Sequence, residues 1–301
     1  MNDPYGVVGR CLGAICVLIS LAWSSSLLTM AGYQGIVDPD MASLSSAELP
    51  LSLYRFFSPS PTFDIALVVL SNLVAVFGAL LFLWPRSSLA ALAMYLSLVS
   101  FKQTVPLMAY GVFEFMQLGL FYVMAANVAR WIFRRNDDAK WRSDRLVGWF
   151  FRGHLAMGYM FSGLSKAVGP HWWTGESMWR ALARSDNSGQ RWFDSYWTGN
   201  YPLLLQIAGI ISLLLETFYP LSFFRKLRWV IVPGMMLMHL GTIAAQGLTL
   251  FGLTMISLNL FFLFESIVVE RAGKKGSLFT LLRRQSDTTV VKEEPLAEAL
   301  P

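Results

Sequence analysis

The run DIALVVLSNLVAVFGALLFLW, residues 64–84, decides the class of fold. After Asp64 it contains no charged residue, and a helix of this length spans a hydrocarbon core of about 30 Å at about 1.5 Å per residue. Its polarity does not alternate from residue to residue, as it would in a strand of a membrane barrel. Because only helices and closed barrels satisfy their backbone groups in lipid, the run predicts a transmembrane helix.

The rest of the chain follows the same pattern. Hydrophobic residues make up 55% of the 301 residues and charged residues only 14%, whereas a soluble domain has about 25% charged residues. The sequence therefore predicts an all-α fold, a polytopic membrane helix bundle of about eight transmembrane helices. The predicted helices are approximately 11–30, 64–84, 88–101, 105–129, 146–168, 202–224, 229–246 and 248–268.

These helices define one transmembrane domain, residues 1–270, followed by a polar tail, 271–301, that we expect to be cytoplasmic and partly disordered. The segment 88–101 is short enough to be a re-entrant piece instead of a full crossing. The first apolar run could also belong to a cleaved signal peptide covering residues 1–31, although it is long for a signal core.

Basic residues predict the orientation of the bundle. If the N-terminus is inside, most of the 24 Lys and Arg residues lie in the inner loops and the tail. By the positive-inside rule, we expect both termini in the cytoplasm and the protein in the cell (inner) membrane. The basic loop 130–145 could dock a soluble protein partner, but clusters this short between apolar runs do not indicate nucleic-acid binding.

Metal and disulfide chemistry have no signature in this sequence. Cys11 and Cys16 lie on different faces of one predicted helix, without a CxxC pattern. The histidines, His154, His171 and His239, are scattered. We therefore predict no metal ligands.

Ionisable residues inside the predicted helices are the functional candidates, because each costs about 2.5–3.5 kcal/mol at a helix centre. Counting from the predicted helix ends gives two layers. The outer layer contains Lys166, Glu114 and His239, and the inner layer contains Arg152, His154 and Glu216. The simplest expectation for the inner layer is an Arg152–Glu216 ion pair joining two helices.

The stretch GYMFSGLSKAVGPHWWTGESMW, residues 158–179, places Lys166 near the outer end of a glycine-rich helix. Two interpretations are open. The lysine could extend to the lipid headgroups as an anchor, or it could be kept partly dry, lose its proton and act as a general base. The tryptophans that follow could form an interfacial belt, or one or two could stack on a flat ligand such as a quinone.

This stretch resembles a motif of the vitamin K-dependent gamma-carboxylases and their bacterial relatives, the horizontally transferred transmembrane (HTTM) family. The family has a small residue, Gly, a hydrophobic residue, any residue and Lys, then Trp and Gly. Here these positions are Ser162-Gly163-Leu164-Ser165-Lys166, then Trp172 or Trp173, then Gly175. His239 and the following GLTLFGLTMISLNLFFL also resemble the family pattern. The resemblance covers roughly residues 10–268, although the family's usual lysine pair is Ser165-Lys166 here.

The resemblance implies quinol chemistry. Lys166 would deprotonate a reduced quinone of the menaquinone or vitamin K type, with His239 as a second catalytic residue. We also expect contacts to the cofactor from Trp172, Trp173 and Gly163 of the Lys166 stretch, and from Glu114 because of its place in the outer layer. The function implied is redox-coupled proton transfer or a carboxylase-like reaction on a lipid-soluble molecule. Two other classes stay open: a transporter or channel lined by these polar residues, and a non-catalytic membrane scaffold for a soluble enzyme.

Overall fold

The computed structural model describes residues 3–24, 27–32, 49–105, 111–183 and 200–267, and these form an all-α bundle without a strand. The predicted tail, 271–301, lies outside the described residues. The first half of the bundle consists of α1 (Pro4–Ser24), α2 (Leu27–Ala31), α3 (Pro61–Leu83), α4 (Ser88–Thr104) and α5 (Gly111–Ile132).

The second half begins with the longest helix, α6 (Asp137–Val168). Two short helices, α7 (Pro170–Trp173) and α8 (Glu176–Ala183), follow it. The remaining elements are α9 (Pro202–Thr217), a 3-10 turn (Tyr219–Phe223), α10 (Arg225–Gln246) and α11 (Thr249–Ile267).

Five of these helices are long and apolar enough to cross a membrane: α1, α3, α5, α10 and α11. Large apolar side chains such as Ile65, Val69 and Val76 are exposed along α3, as expected of a helix face in contact with lipid. The protein is therefore a multipass membrane protein. Crossing by α4, α6 and α9 stays a prediction: α4 has 17 residues and α9 has 16, while α6 carries charges at both ends.

Three helix boundaries differ from the prediction by seven residues or more. α1 begins at Pro4, one to two turns before residue 11, and α6 begins at Asp137, where Asn136 caps its first turn through a side-chain bond to the Ala139 amide. The predicted helix 202–224 ends early, at Thr217, and continues as the 3-10 turn. Pro220 explains this break, because proline removes a backbone donor and disfavours a helical residue before it.

The last described helix, α11, occupies the centre of the bundle. Phe261 of α11 contacts the rings of Tyr5 on α1 and Phe151 on α6, and Phe262 contacts Tyr219 of the 3-10 turn. α6 packs against α5 on one side and α9 on the other. This arrangement leaves a space between α6, α9, α10 and α11 that contains the candidate site.

The two ends of the bundle differ in their charged groups. At the Asp3 end, named for its first residue, the Asp3 carboxylate pairs with Arg86 and Arg130, and Arg130 also binds Asp144, all at 2.8 Å. These bonds join the start of the described chain to the α3–α4 turn, to the end of α5 and to the start of α6. Because α6 runs away from this end, its last turn and Lys166 lie at the opposite end.

Candidate functional site

A cavity of about 810 Å³ lies between α6, α8, α9, α10 and α11. Leucine, isoleucine, methionine and alanine side chains form much of its lining. The polar and ionisable residues of the wall are few: Tyr159, Ser162, Lys166, Ser212, Glu216, His239, Thr242 and Gln246. A mostly apolar cavity of about 300–1,000 Å³ with a few convergent polar groups is the usual form of a small-molecule site.

Lys166 forms an ion pair with Glu216 on the wall of this cavity. Its Nζ lies 2.5 and 2.6 Å from the two carboxylate oxygens, and Ser162 donates a hydrogen bond of 3.0 Å to one of them. The Glu216 side chain is 6% exposed and that of Lys166 is 22% exposed. Lys166 is therefore enclosed by protein and does not extend freely to the bilayer surface.

The partner of Lys166 corrects the predicted Arg152–Glu216 ion pair, which is wrong. Arg152 instead pairs with Glu265 of α11, with its Nε 3.0 Å from the carboxylate, and both side chains are almost fully buried. Depth counted from Pro202 misplaced Glu216, because α9 ends at Thr217 and its last turn lies beside the last turns of α6. In the sequence, Pro220 indicated that α9 would end near Thr217. Glu265, an ionisable residue inside a predicted helix, indicated a candidate partner for Arg152.

Trp172 completes the surroundings of the ion pair. The Lys166 ammonium lies 4.7 Å from the centre of the Trp172 ring, a favourable cation–π distance. Trp173 is not in the cavity lining; its indole Nε1 donates to the Ala167 carbonyl at 3.0 Å. Of the two tryptophans predicted to contact a cofactor, the structure therefore brings only Trp172 to the cavity.

Two glycines position this corner of the site. A Cβ at Gly163 would lie 2.5 Å from the Thr217 backbone nitrogen, so only glycine allows α6 and α9 to pack this closely here. Gly163 is not among the residues that line the cavity. Gly175 has φ of 81°, a left-handed conformation that favours glycine. It turns the chain from α7 into α8 and lies against the backbone of Gln206 on α9.

His239 forms the second polar centre of the cavity and belongs to a buried network. Asn259 donates its amide hydrogens to the Met255 carbonyl at 2.8 Å and to the Tyr159 hydroxyl at 2.6 Å. The Tyr159 hydroxyl lies 2.9 Å from His239 Nε2, and the imidazole tautomer decides which of the two atoms donates. In the tautomer whose Nε2 accepts, the neutral imidazole carries its hydrogen on Nδ1.

The Nδ1 atom of His239 has no hydrogen-bond partner among the residues that the structure describes, and the side chain is only 2% exposed. A buried donor or acceptor without a partner costs about 1–3 kcal/mol. A ligand oxygen placed against this atom would remove that cost. The network also includes Tyr159, which the sequence analysis did not single out, and Tyr219, which donates to Asn259 at 2.8 Å.

Glu114 is not part of this site. It is 59% exposed and pairs with Lys102 of α4. It lines a smaller cavity of about 380 Å³ together with Gln117 and His154. Lys166 and His239, which were both predicted in the outer layer, therefore line the same cavity. Glu114, the third residue of that layer, lines a different one.

The Lys166 cavity is closed towards the Asp3 end. Its lining reaches Tyr159 and Met255 but includes neither Arg152 nor Glu265. Between these levels lie Tyr219 and Phe262, which are fully buried and in contact. The two buried ion pairs are thus separated by packed side chains.

Comparison with family models, with curated proteins and with solved structures finds no match for this chain. The resemblance of the Lys166 stretch to the carboxylases therefore stays a prediction from its residues. Among the described residues no group of three or more His, Cys, Asp and Glu side chains could hold a metal ion.

Proposed function

We propose that the Lys166 cavity binds a lipid-soluble molecule with a polar ring, of the quinol class, and that the Lys166–Glu216 pair accepts a proton from it. The observation that carries this proposal is a lysine–carboxylate pair on the wall of a mostly apolar cavity inside a membrane bundle. Ionisable groups in such positions are costly, and they mark substrate or proton sites by default.

The lining fits the two parts of such a ligand. An isoprenoid or acyl chain would lie against the leucines and methionines of α9 and α10. The ring would lie between the two polar centres, where one oxygen meets the Lys166–Glu216 pair. A second oxygen would lie against His239 Nδ1, which has no partner among the described residues.

The ion pair suggests how a lysine that starts as an ammonium can act as a base. Transfer of one proton from Lys166 to Glu216, across 2.5–2.6 Å, leaves a neutral amine and a neutral carboxylic acid. The amine then takes the hydroxyl proton of the quinol: the O–H bond breaks, an N–H bond forms, and the electron pair stays on oxygen. The resulting oxyanion lies beside the ammonium, which stabilises its charge.

Glu216 is thus proposed as the proton acceptor for Lys166, a role that the resemblance alone does not assign. The carboxylase resemblance would extend this step to oxygen and carbon dioxide chemistry on the same ligand. We propose binding and proton transfer only.

The test is reconstitution of the purified protein with a reduced menaquinone-type ligand. We expect saturable binding and absorbance of the deprotonated quinol with the wild type, and loss of the deprotonated form with Lys166→Ala and with Glu216→Gln. Lys102→Ala is the matched control, because it removes a lysine from an ion pair outside the cavity. Equal binding and equal deprotonation in wild type and Lys166→Ala would refute the function.

Neither alternative class gains support from a specific observation. A transporter needs a path across the bundle, and the cavity is closed by Tyr219 and Phe262. For a scaffold using the loop 130–145, Arg130 is already paired with Asp3 and Asp144. Arg134 and Arg135 are exposed, but no observation indicates what would bind them.

A further inference from the structure

A second large cavity, of about 1060 Å³, lies at the Asp3 end, away from Lys166. We call it the Arg10 groove; it is lined by residues of α1, α3, α4 and the turn between α3 and α4. Its inner wall is apolar and includes Val7, Phe77, Leu80 and Ala93. Its polar groups, Asp3, Arg10, Arg86 and Ser87, come from the ends of the helices.

The groove has an excess of positive charge. Its one lining carboxylate, Asp3, is already bound by Arg86 and Arg130. Arg10 is exposed, and no hydrogen bond or ion pair is found for its side chain in the part of the chain that the structure describes. Val7 and Arg10 are three residues apart on α1 and share one helix face, so the guanidinium of Arg10 belongs to the same face as the apolar wall.

The groove also has the features of a lipid–water interface. Trp84 lies in its lining at the end of α3 and is 60% exposed. Tryptophan is enriched at the headgroup level, where its ring is partly in lipid and partly in water. α1 and α3, the two helices that flank the groove, are both long and apolar enough to span a membrane, so their ends lie at that level.

We infer that the Arg10 groove binds an anionic phospholipid. The phosphate would lie between the guanidinium groups of Arg10 and Arg86, which suit phosphate oxygens by charge and geometry. One acyl chain would follow the apolar wall past Phe77, Leu80 and Ala93. The charge of Arg10 favours an anionic lipid over a zwitterionic one. Both lipids could pack against the apolar wall, but only the anionic lipid supplies a net negative charge beside Arg10.

This site is independent of the Lys166 cavity and of the proposed quinol chemistry, since the two cavities share no lining residue. Failure of either proposal therefore leaves the other intact.

Native mass spectrometry of the purified protein tests the groove. The protein is released from mixed micelles that contain equal amounts of phosphatidylglycerol and phosphatidylcholine with identical acyl chains. We expect the wild type to retain phosphatidylglycerol in preference. One arginine near a membrane surface contributes about 1 kcal/mol to binding anionic lipid, so Arg10→Gln should weaken retention about fivefold.

Arg55→Gln is the matched control, because Arg55 is an exposed arginine in a turn that contacts the opposite end of α4. It should retain phosphatidylglycerol as the wild type does. Equal retention of the two lipids by the wild type, or equal losses in Arg10→Gln and Arg55→Gln, would overturn the inference.

A second variant tests the apolar wall with the arginines unchanged. Ala93→Phe places a ring in the groove and should reduce retention of phosphatidylglycerol, with the thermal midpoint used to confirm that the variant is folded. Retention equal to that of the wild type would overturn the lipid assignment. Added inorganic phosphate at millimolar concentration should not displace the lipid. Displacement would show that the arginines bind phosphate alone and that the apolar wall contributes nothing to binding.

Discussion

The Lys166–Glu216 pair predicts a large coupling energy in a double-mutant cycle. The two variants are Lys166→Met and Glu216→Met, alone and together, with the free energy of unfolding measured by denaturing-detergent titration in micelles. Removing one partner of a buried ion pair leaves the other charge without compensation and costs about 3–5 kcal/mol. Because Lys166 is 22% exposed, we expect the lower end, about 3 kcal/mol, for each single variant.

The double variant should recover most of this loss, since replacing both partners by apolar residues of similar volume is often neutral. The expected coupling is therefore about 5 kcal/mol, because the two single losses together far exceed the loss of about 1 kcal/mol that remains in the double variant. A lysine that merely extends to the headgroups would show only about 0–1 kcal/mol, as exposed ion pairs do. The same cycle on Lys102 and Glu114, where the carboxylate is largely exposed, gives that lower reference value. A coupling below about 1 kcal/mol for Lys166 and Glu216 would refute the enclosed pair.

Three further predictions follow from other contacts. Arg152→Met should destabilise the bundle by about 3–5 kcal/mol, with coupling to Glu265 in a double-mutant cycle; additive effects of the two substitutions would contradict that pair. Gly163→Ala should cost about 1–3 kcal/mol of unfolding free energy, because its Cβ would press on the Thr217 backbone; an unchanged unfolding midpoint would contradict this contact. Burial acts to raise the pKa of Asp3, but its bonds to two arginines outweigh burial and hold that pKa below the ordinary value. The stability from Asp3 is therefore present above about pH 3.9 and is lost as the pH falls through the lowered pKa, so thermal midpoints of the wild type and Asp3→Asn should converge on acidification.

The helical class and the approximate helix positions were predictable from local sequence. A run such as residues 64–84 has one solution in lipid, because its length and lack of charge match the hydrocarbon core and its backbone must bond to itself. The break after Thr217 was also within reach, since Pro220 acts through its own ring and its neighbours. These features depend on interactions between residues close in the chain.

The site was only partly predictable. Lys166 and His239 were identified because ionisable groups in apolar helices are conspicuous, and depth counting placed them correctly in one layer. The same counting failed for Glu216 and Glu114, since it treated every helix as starting at the same level and said nothing of which face each helix turns to its neighbours.

The sequence by itself determined that this chain forms membrane helices and that a few costly ionisable groups lie within them. Only the tertiary structure decided that Lys166 binds Glu216, that Arg152 binds Glu265, and that His239 shares a cavity with the first pair. The physical reason is distance: one helical turn is about 5.4 Å, whereas an ion pair requires contact within about 4 Å. A shift of a single turn, set by where a neighbouring helix begins or breaks, therefore changes the partner.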